Sequence, residues 1–103
     1  MNQENLTFKD KYNQCKTWQD RAICIALYHT IMLTKYPTWT ITDTSKHFEV
    51  SIGLVSENIR LASEIDNGNK KVSECKYRED ALKLIERRRY ASDRLTLIMF
   101  KDE

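Results

Sequence analysis

The side chains best suited to bond-making chemistry in this 103-residue chain are three cysteines and two histidines, and their spacing argues against that use. Cys15, Cys24 and Cys75 are odd in number, lie far apart and form no C-x-x-C pair, which leaves neither a disulfide framework nor a structural zinc site. They are expected to be reduced thiols, and Cys24, inside an apolar run, is expected to pack as a small hydrophobe. His29 sits on an apolar helical stretch and reads as a satisfied core or interface residue, while His47 is expected to be exposed on a short helix. Neither has a nucleophile near it in sequence. G-x-x-x-x-G-K-[ST], H-E-x-x-H, G-x-S-x-G and a dense carboxylate cluster are all missing. The expectation is a protein that is not an enzyme and uses no cofactor, no metal and no small-molecule substrate.

Recognition chemistry has better support, in residues 40–62. Thr40 can cap a first short helix, with Asp43 three residues on completing an acidic variant of the capping box, and Ile41, Ser45 and Phe48 then share one face. Ser51 can cap a second helix on which Val55, Ile59 and Ala62 face inward, and Val50 in the turn fills the space between the two helices. This is the spacing of a helix-turn-helix, whose second helix presents its N-terminal end to the major groove of DNA. The outward positions Ser51, Ile52, Gly53, Ser56, Glu57 and Arg60 become the candidate DNA-binding residues. Arg60 suits guanine or a phosphate, Ser56 either kind of partner, and Glu57 the amino group of cytosine; Gly53 permits close approach and Ile52 can touch a thymine methyl.

In the run Phe48-Glu49-Val50-Ser51 through Val55-Ser56-Glu57-Asn58-Ile59-Arg60-Leu61-Ala62, the sequence resembles the ParB-like helix-turn-helix domains of phages and mobile elements. In that family the reading helix looks like V-S-x-x-I-x-L-A, followed by a polar linker and a helix with an A-L-K core, to which Asp80-Ala81-Leu82-Lys83-Leu84-Ile85-Glu86-Arg87 is similar. The resemblance covers residues 40–89 and implies sequence-specific binding of double-stranded DNA. Two positions depart from the pattern: Glu49 stands where the turn often has Gly, and Ser45 where Ala is common. No segment resembles the nucleotide-binding part of full-length ParB proteins, so nucleotide hydrolysis is not implied.

The elements that must position these residues form an all-α fold: a small helical domain with a central helix-turn-helix and a long N-terminal helix. Residues 8–36 carry Trp18, Ala22, Ile25, Ala26, His29, Met32 and Leu33 at helical spacing, giving one long helix with room for a single break. Ile23, Cys24, Leu27, Tyr28 and Ile31 leave it little solvent face, so it is central or forms an interface. Pro37 ends it. Asp66-Asn67-Gly68-Asn69-Lys70-Lys71 is turn chemistry that stops the reading helix, and a connector leads to a C-terminal helical segment over residues 77–100 with Ala81, Leu82 and Ile85 on one face. Arg87, Arg88 and Arg89 are further candidate DNA-binding residues, as phosphate contacts, though they also suit a solvated helix end. The apolar run 95–100 reads as helix or strand that folds back on the core or pairs with another subunit.

Length allows one domain, and 41% apolar against 31% charged residues, with two Gly and one Pro, suits a helix-rich globule. Net charge is +2, distributed as +2 over residues 1–40, −2 over 41–75 and +2 over 76–103, so the basic surplus lies outside the reading motif. No run is long enough to cross a bilayer, and the N-terminus lacks a signal-peptide pattern, so no membrane association and a cytoplasmic address, in a bacterial cell or phage-infected host, are expected. A homodimer is expected because two-fold half-sites on DNA match a two-fold reader. The rival expectation is a helical protein-protein interaction module without DNA affinity, which the acidic middle segment favours.

Overall fold

The computed structural model describes residues 7–86; Arg87, Arg88, Arg89 and the apolar run 95–100 lie outside the described residues. The chain is all-α there. In order come α1 (Phe8–Gln14), α2 (Trp18–Lys35), α3 (Ile41–Phe48), α4 (Ile52–Asp66), α5 (Lys70–Ser73) and α6, which occupies residues 78–86.

Local chemistry sets most of the boundaries. The expected long N-terminal helix is broken once, at Cys15, whose extended backbone (φ −64°, ψ 133°) closes α1, and α2 restarts with Thr17 accepting a hydrogen bond from the Asp20 amide. Tyr36 is extended at φ −131°, ψ 95° because the following Pro37 ring disfavours helical geometry there, and α2 stops at Lys35. Asn67 and Gly68, the latter at φ +84°, turn the chain after α4. The connector beyond contains a helical turn of its own, since Asn69 accepts from the Val72 amide and starts the single turn of α5.

α2 and α4 form the spine of the molecule, each contributing to two apolar clusters. One contains Trp18, Ala22, Leu61, Ala62, Val72, Ala81 and Ile85; the other contains Ile25, Tyr28, Phe48 and Val55, with Phe8, Tyr12, Trp39 and Val50 packed against it. α5 and α6 thus close one end of the core through Val72, Ala81 and Ile85, and α1 and α3 close the other. α2 is central, as its composition demands, but its buried stripe runs through Tyr28 rather than through His29 and Leu33. Ile23, Leu27 and Leu33 remain 42%, 51% and 39% exposed, so part of this apolar helix is left at the surface.

Candidate nucleic-acid interface

The two-helix unit is assembled by its caps. Thr40 accepts from the Asp43 amide while the Asp43 carboxylate accepts from both the Thr40 amide and hydroxyl, which holds that carboxyl below its ordinary pKa. At the other end Glu49 is left-handed (φ 58°, ψ 45°), its amide donating to the Lys46 carbonyl and the Val50 amide to the Ser45 carbonyl at 3.0 Å. These two bonds make a Schellman turn. The departure from Gly at Glu49 therefore falls on the one residue whose φ favours glycine, and an L residue there costs roughly 1 kcal/mol of backbone strain. Glu49 also forms an ion pair with Lys9 of α1, which lowers its carboxyl pKa. Ser51 then caps α4 by accepting from the Leu54 amide at 3.1 Å.

The packing between the helices follows the expected positions and adds polar ones. Ser45, Phe48, Val55 and Ala62 are buried, while Ile41, Val50 and Ile59 are half-buried. Thr44, Asn58 and Leu61 are buried as well, at 0%, 2% and 0% exposure. The Thr44 hydroxyl accepts from Trp39 Nε1 at 2.8 Å and lies 2.7 Å from His29 Nδ1. Its own proton needs an acceptor in so buried a position, so it donates to His29 Nδ1, and the imidazole is neutral with its proton on Nε2. Desolvation lowers the His29 pKa in the same sense. His29 is thus hydrogen-bonded at Nδ1, but it is half-buried at the edge of the core rather than in it.

His47 is a correction. Instead of being exposed, it is half-buried and stacks on Tyr28 with ring centroids 4.2 Å apart and planes at 11°. Its Nε2 is buried without a hydrogen-bond partner among the described residues, and desolvation, assisted by the charge of Lys9, lowers its pKa. The cause is Tyr28 of α2, whose ring lies over His47 and could not be read from α3 alone. Cys15, Cys24 and Cys75 are free thiols, and burial pushes the Cys24 thiol up to about 11, where it is protonated and inert at neutral pH.

The reader positions divide into two groups. Ser51, Ile52 and Gly53 are exposed at the N-terminal end of α4, with Ile52 at 51%, and an added Cβ at Gly53 would meet nothing within 4 Å among the described residues. Ser56, Glu57 and Arg60 are half-buried and continue the Gly53 stripe at helical spacings of three and four residues. Glu57 is engaged within the chain: its Oε1 accepts from Arg78 Nη2 of α6 at 2.7 Å, and Arg78 Nε donates to Asn58 Oδ1 at 2.8 Å. The free cytosine acceptor expected of Glu57 is therefore already one half of an ion pair. Arg60 is the sole basic residue of α4, which also carries Glu57, Glu64 and Asp66.

Arg78, Asn58 and Thr44 are the polar residues that sequence reasoning did not single out. Arg78 and Asn58 are marked by no local signal because they are each other's partners across α6 and α4, and Thr44 depends on His29 of α2 and on Trp39 of the connector. No group of three or more His, Cys, Asp or Glu suited to a metal ion occurs among the described residues, and no described helix is long and apolar enough to cross a membrane. Comparison with protein families, characterised proteins and solved structures found no match to this chain.

Proposed function

We propose that the chain is a sequence-specific double-stranded DNA-binding protein of the ParB-like helix-turn-helix kind, acting as a homodimer in transcriptional regulation or partition in a phage or plasmid. The observation that carries this reading is the unit α3, Schellman turn, α4. Its second helix is buried along its back by Val55, Asn58, Leu61 and Ala62, yet leaves its capped N-terminal end, Ser51 to Gly53, exposed. That is the end a major-groove reader presents. Gly53 adds support, because nothing among the described residues crowds it and a glycine in a helix is less stable than alanine; close approach by an external surface gives it a purpose.

An electrophoretic shift against random and genomic duplexes, followed by selection from a random pool, tests the reading. Wild-type protein is expected to select a two-fold site, and Arg60→Ala is expected to lose about 1–3 kcal/mol of discrimination at one base pair if its contact is bidentate. Failure to shift any duplex at low salt would leave the second reading, a helical protein-interaction module. That reading draws on the exposed Ile23 and Leu27 and on the acidic surplus of α4.

A further inference from the structure

The reading helix has one cation and three carboxylates, so a DNA complex needs positive charge from another part of the fold. Among the described residues, four cations are brought together around one cleft. The loop between α1 and α2 and the connector between α5 and α6 face each other across a cleft of about 500 Å³ whose walls include Lys16, Arg21, Lys76 and Arg78, with Glu74 the one carboxylate among its lining residues. These four basic residues are spread over 63 positions of the sequence, and only the fold brings them together.

The cleft is fixed by hydrogen bonds across its floor. Trp18 Nε1 donates to the Cys75 carbonyl at 2.8 Å, and Gln19 Nε2 donates to the Ser73 and Cys75 carbonyls, both at 3.0 Å. Arg21 Nη2 donates to the Cys15 carbonyl at 3.0 Å, which holds its guanidinium against the loop. Among the described residues none of Lys16, Arg21 and Lys76 is ion-paired with a carboxylate. Arg78 uses one N–H on Asn58 and one on Glu57, leaving three of its five donors. A second hollow lined by Arg21, Arg78, Leu54 and Asn58 joins the cleft to α4. Since Glu57 belongs to the reader stripe and binds Arg78, the cations begin at the edge of the face that would enter the groove.

We propose that Lys16, Arg21, Lys76 and Arg78 form a clamp for the phosphate backbone of double-stranded DNA, flanking the groove that α4 reads. The proposal rests on the DNA-binding reading. In the complex Lys16 and Lys76 approach phosphates as mobile point charges, while Arg21 and Arg78, already oriented by backbone and side-chain acceptors, present fixed donors. The Glu57–Arg78 pair then couples the clamp to the reading helix and sets its register on the duplex.

The test is the salt dependence of duplex binding by wild type and by the double variant Lys16→Gln, Lys76→Gln. Both lysines are exposed, and Arg78 is left in place because Asn58 depends on it. The variant is expected to bind specific and random duplexes more weakly by the same factor, and its slope of log affinity against log salt should be shallower by about 0.9 for each phosphate contact removed. A control with Lys35→Gln and Lys83→Gln, exposed lysines outside the cleft, should keep the wild-type slope. The Trp18 indole N–H resonance should move when duplex is added. A double variant with the wild-type slope, beside a wild type that binds DNA, would overturn the clamp and leave the reading of DNA by α4 intact. A wild type that binds no duplex at low salt would overturn both.

Discussion

At the scale of single residues, two histidines tie the stability of the fold to pH. His29 and His47 both have folded pKa values below the ordinary 6.5, each chiefly through desolvation, so the unfolded chain binds their protons more readily than the folded one. Their contribution is fully present above pH 6.5 and is lost as pH falls from there through the folded values. Asp43 and Glu49 are also lowered, by hydrogen bonds from Thr40 and Lys9, and act in a separate window, below the unperturbed carboxylate values of 3.8 and 4.5. The histidines differ in what they would lose. Protonation of His29 Nδ1 breaks its acceptance from Thr44, whereas His47 has no bond at Nε2 to lose and is held by stacking on Tyr28 and an edge contact with Phe48. His47→Phe keeps a planar ring and removes the unpartnered nitrogen, so it is expected to raise the thermal midpoint and flatten its decline below pH 6.5. Melting curves between pH 5 and 8 check this; a lower midpoint at pH 7 would mean that His47 makes a polar contact the fold needs.

At the scale of elements, the helix-turn-helix is legible in the sequence and its attachment to the rest of the molecule is not. The caps at Thr40 and Ser51 and the turn through Glu49 and Val50 are contests settled within a few residues, where hydroxyl and carboxylate spacing is enough to identify the winner. The burial of Asn58 is another kind of fact. By type it belongs at the surface, and it is tolerated at 2% exposure only because Arg78, twenty residues further on, donates to its Oδ1. Tyr28 was equally hidden, since choosing it over His29 for the core requires knowing that Phe8, Trp39 and Phe48 converge on its ring. The Arg78 link has a measurable asymmetry. Arg78→Met leaves a buried amide oxygen unpaired and is expected to cost about 1–3 kcal/mol, while Glu57→Gln, which disturbs only the more exposed partner, should cost under about 1 kcal/mol. Equal losses in urea unfolding would show that the ion pair, not the Asn58 bond, holds α6 to α4. For α4 itself, Gly53→Ala meets no clash and should stabilise the fold by roughly 0.5–1 kcal/mol. Under the proposed function the same change weakens DNA binding, and a variant both more stable and equally tight would remove the reason given for the glycine.

At the scale of the whole molecule, α4 separates two unlike surfaces. Leu54, Glu57 and Asn58 adjoin Arg78 and the basic cleft on one flank. On the other flank Ile59, Ala62, Ser63 and Asp66 meet Ile23, Ala26, Leu27 and Thr30 of α2 around a groove of about 460 Å³ whose walls are mainly apolar. Under the proposed function, a homodimer would seat its second copy in this groove. It lies beside the reading stripe without covering it, and it would bury the Ile23 and Leu27 side chains that one copy leaves at 42% and 51% exposure. Leu27→Asp is the discriminating substitution, because its site is exposed in one copy and the change should leave the folded monomer nearly as stable as wild type. Sedimentation at micromolar concentration should find wild type dimeric and the variant monomeric, and the variant should lose far more affinity for a two-half-site duplex than for a single half-site. A monomeric wild type would leave α4 to act as a single reader, and a Leu27→Asp variant that stays dimeric with undiminished affinity would place the subunit contact elsewhere.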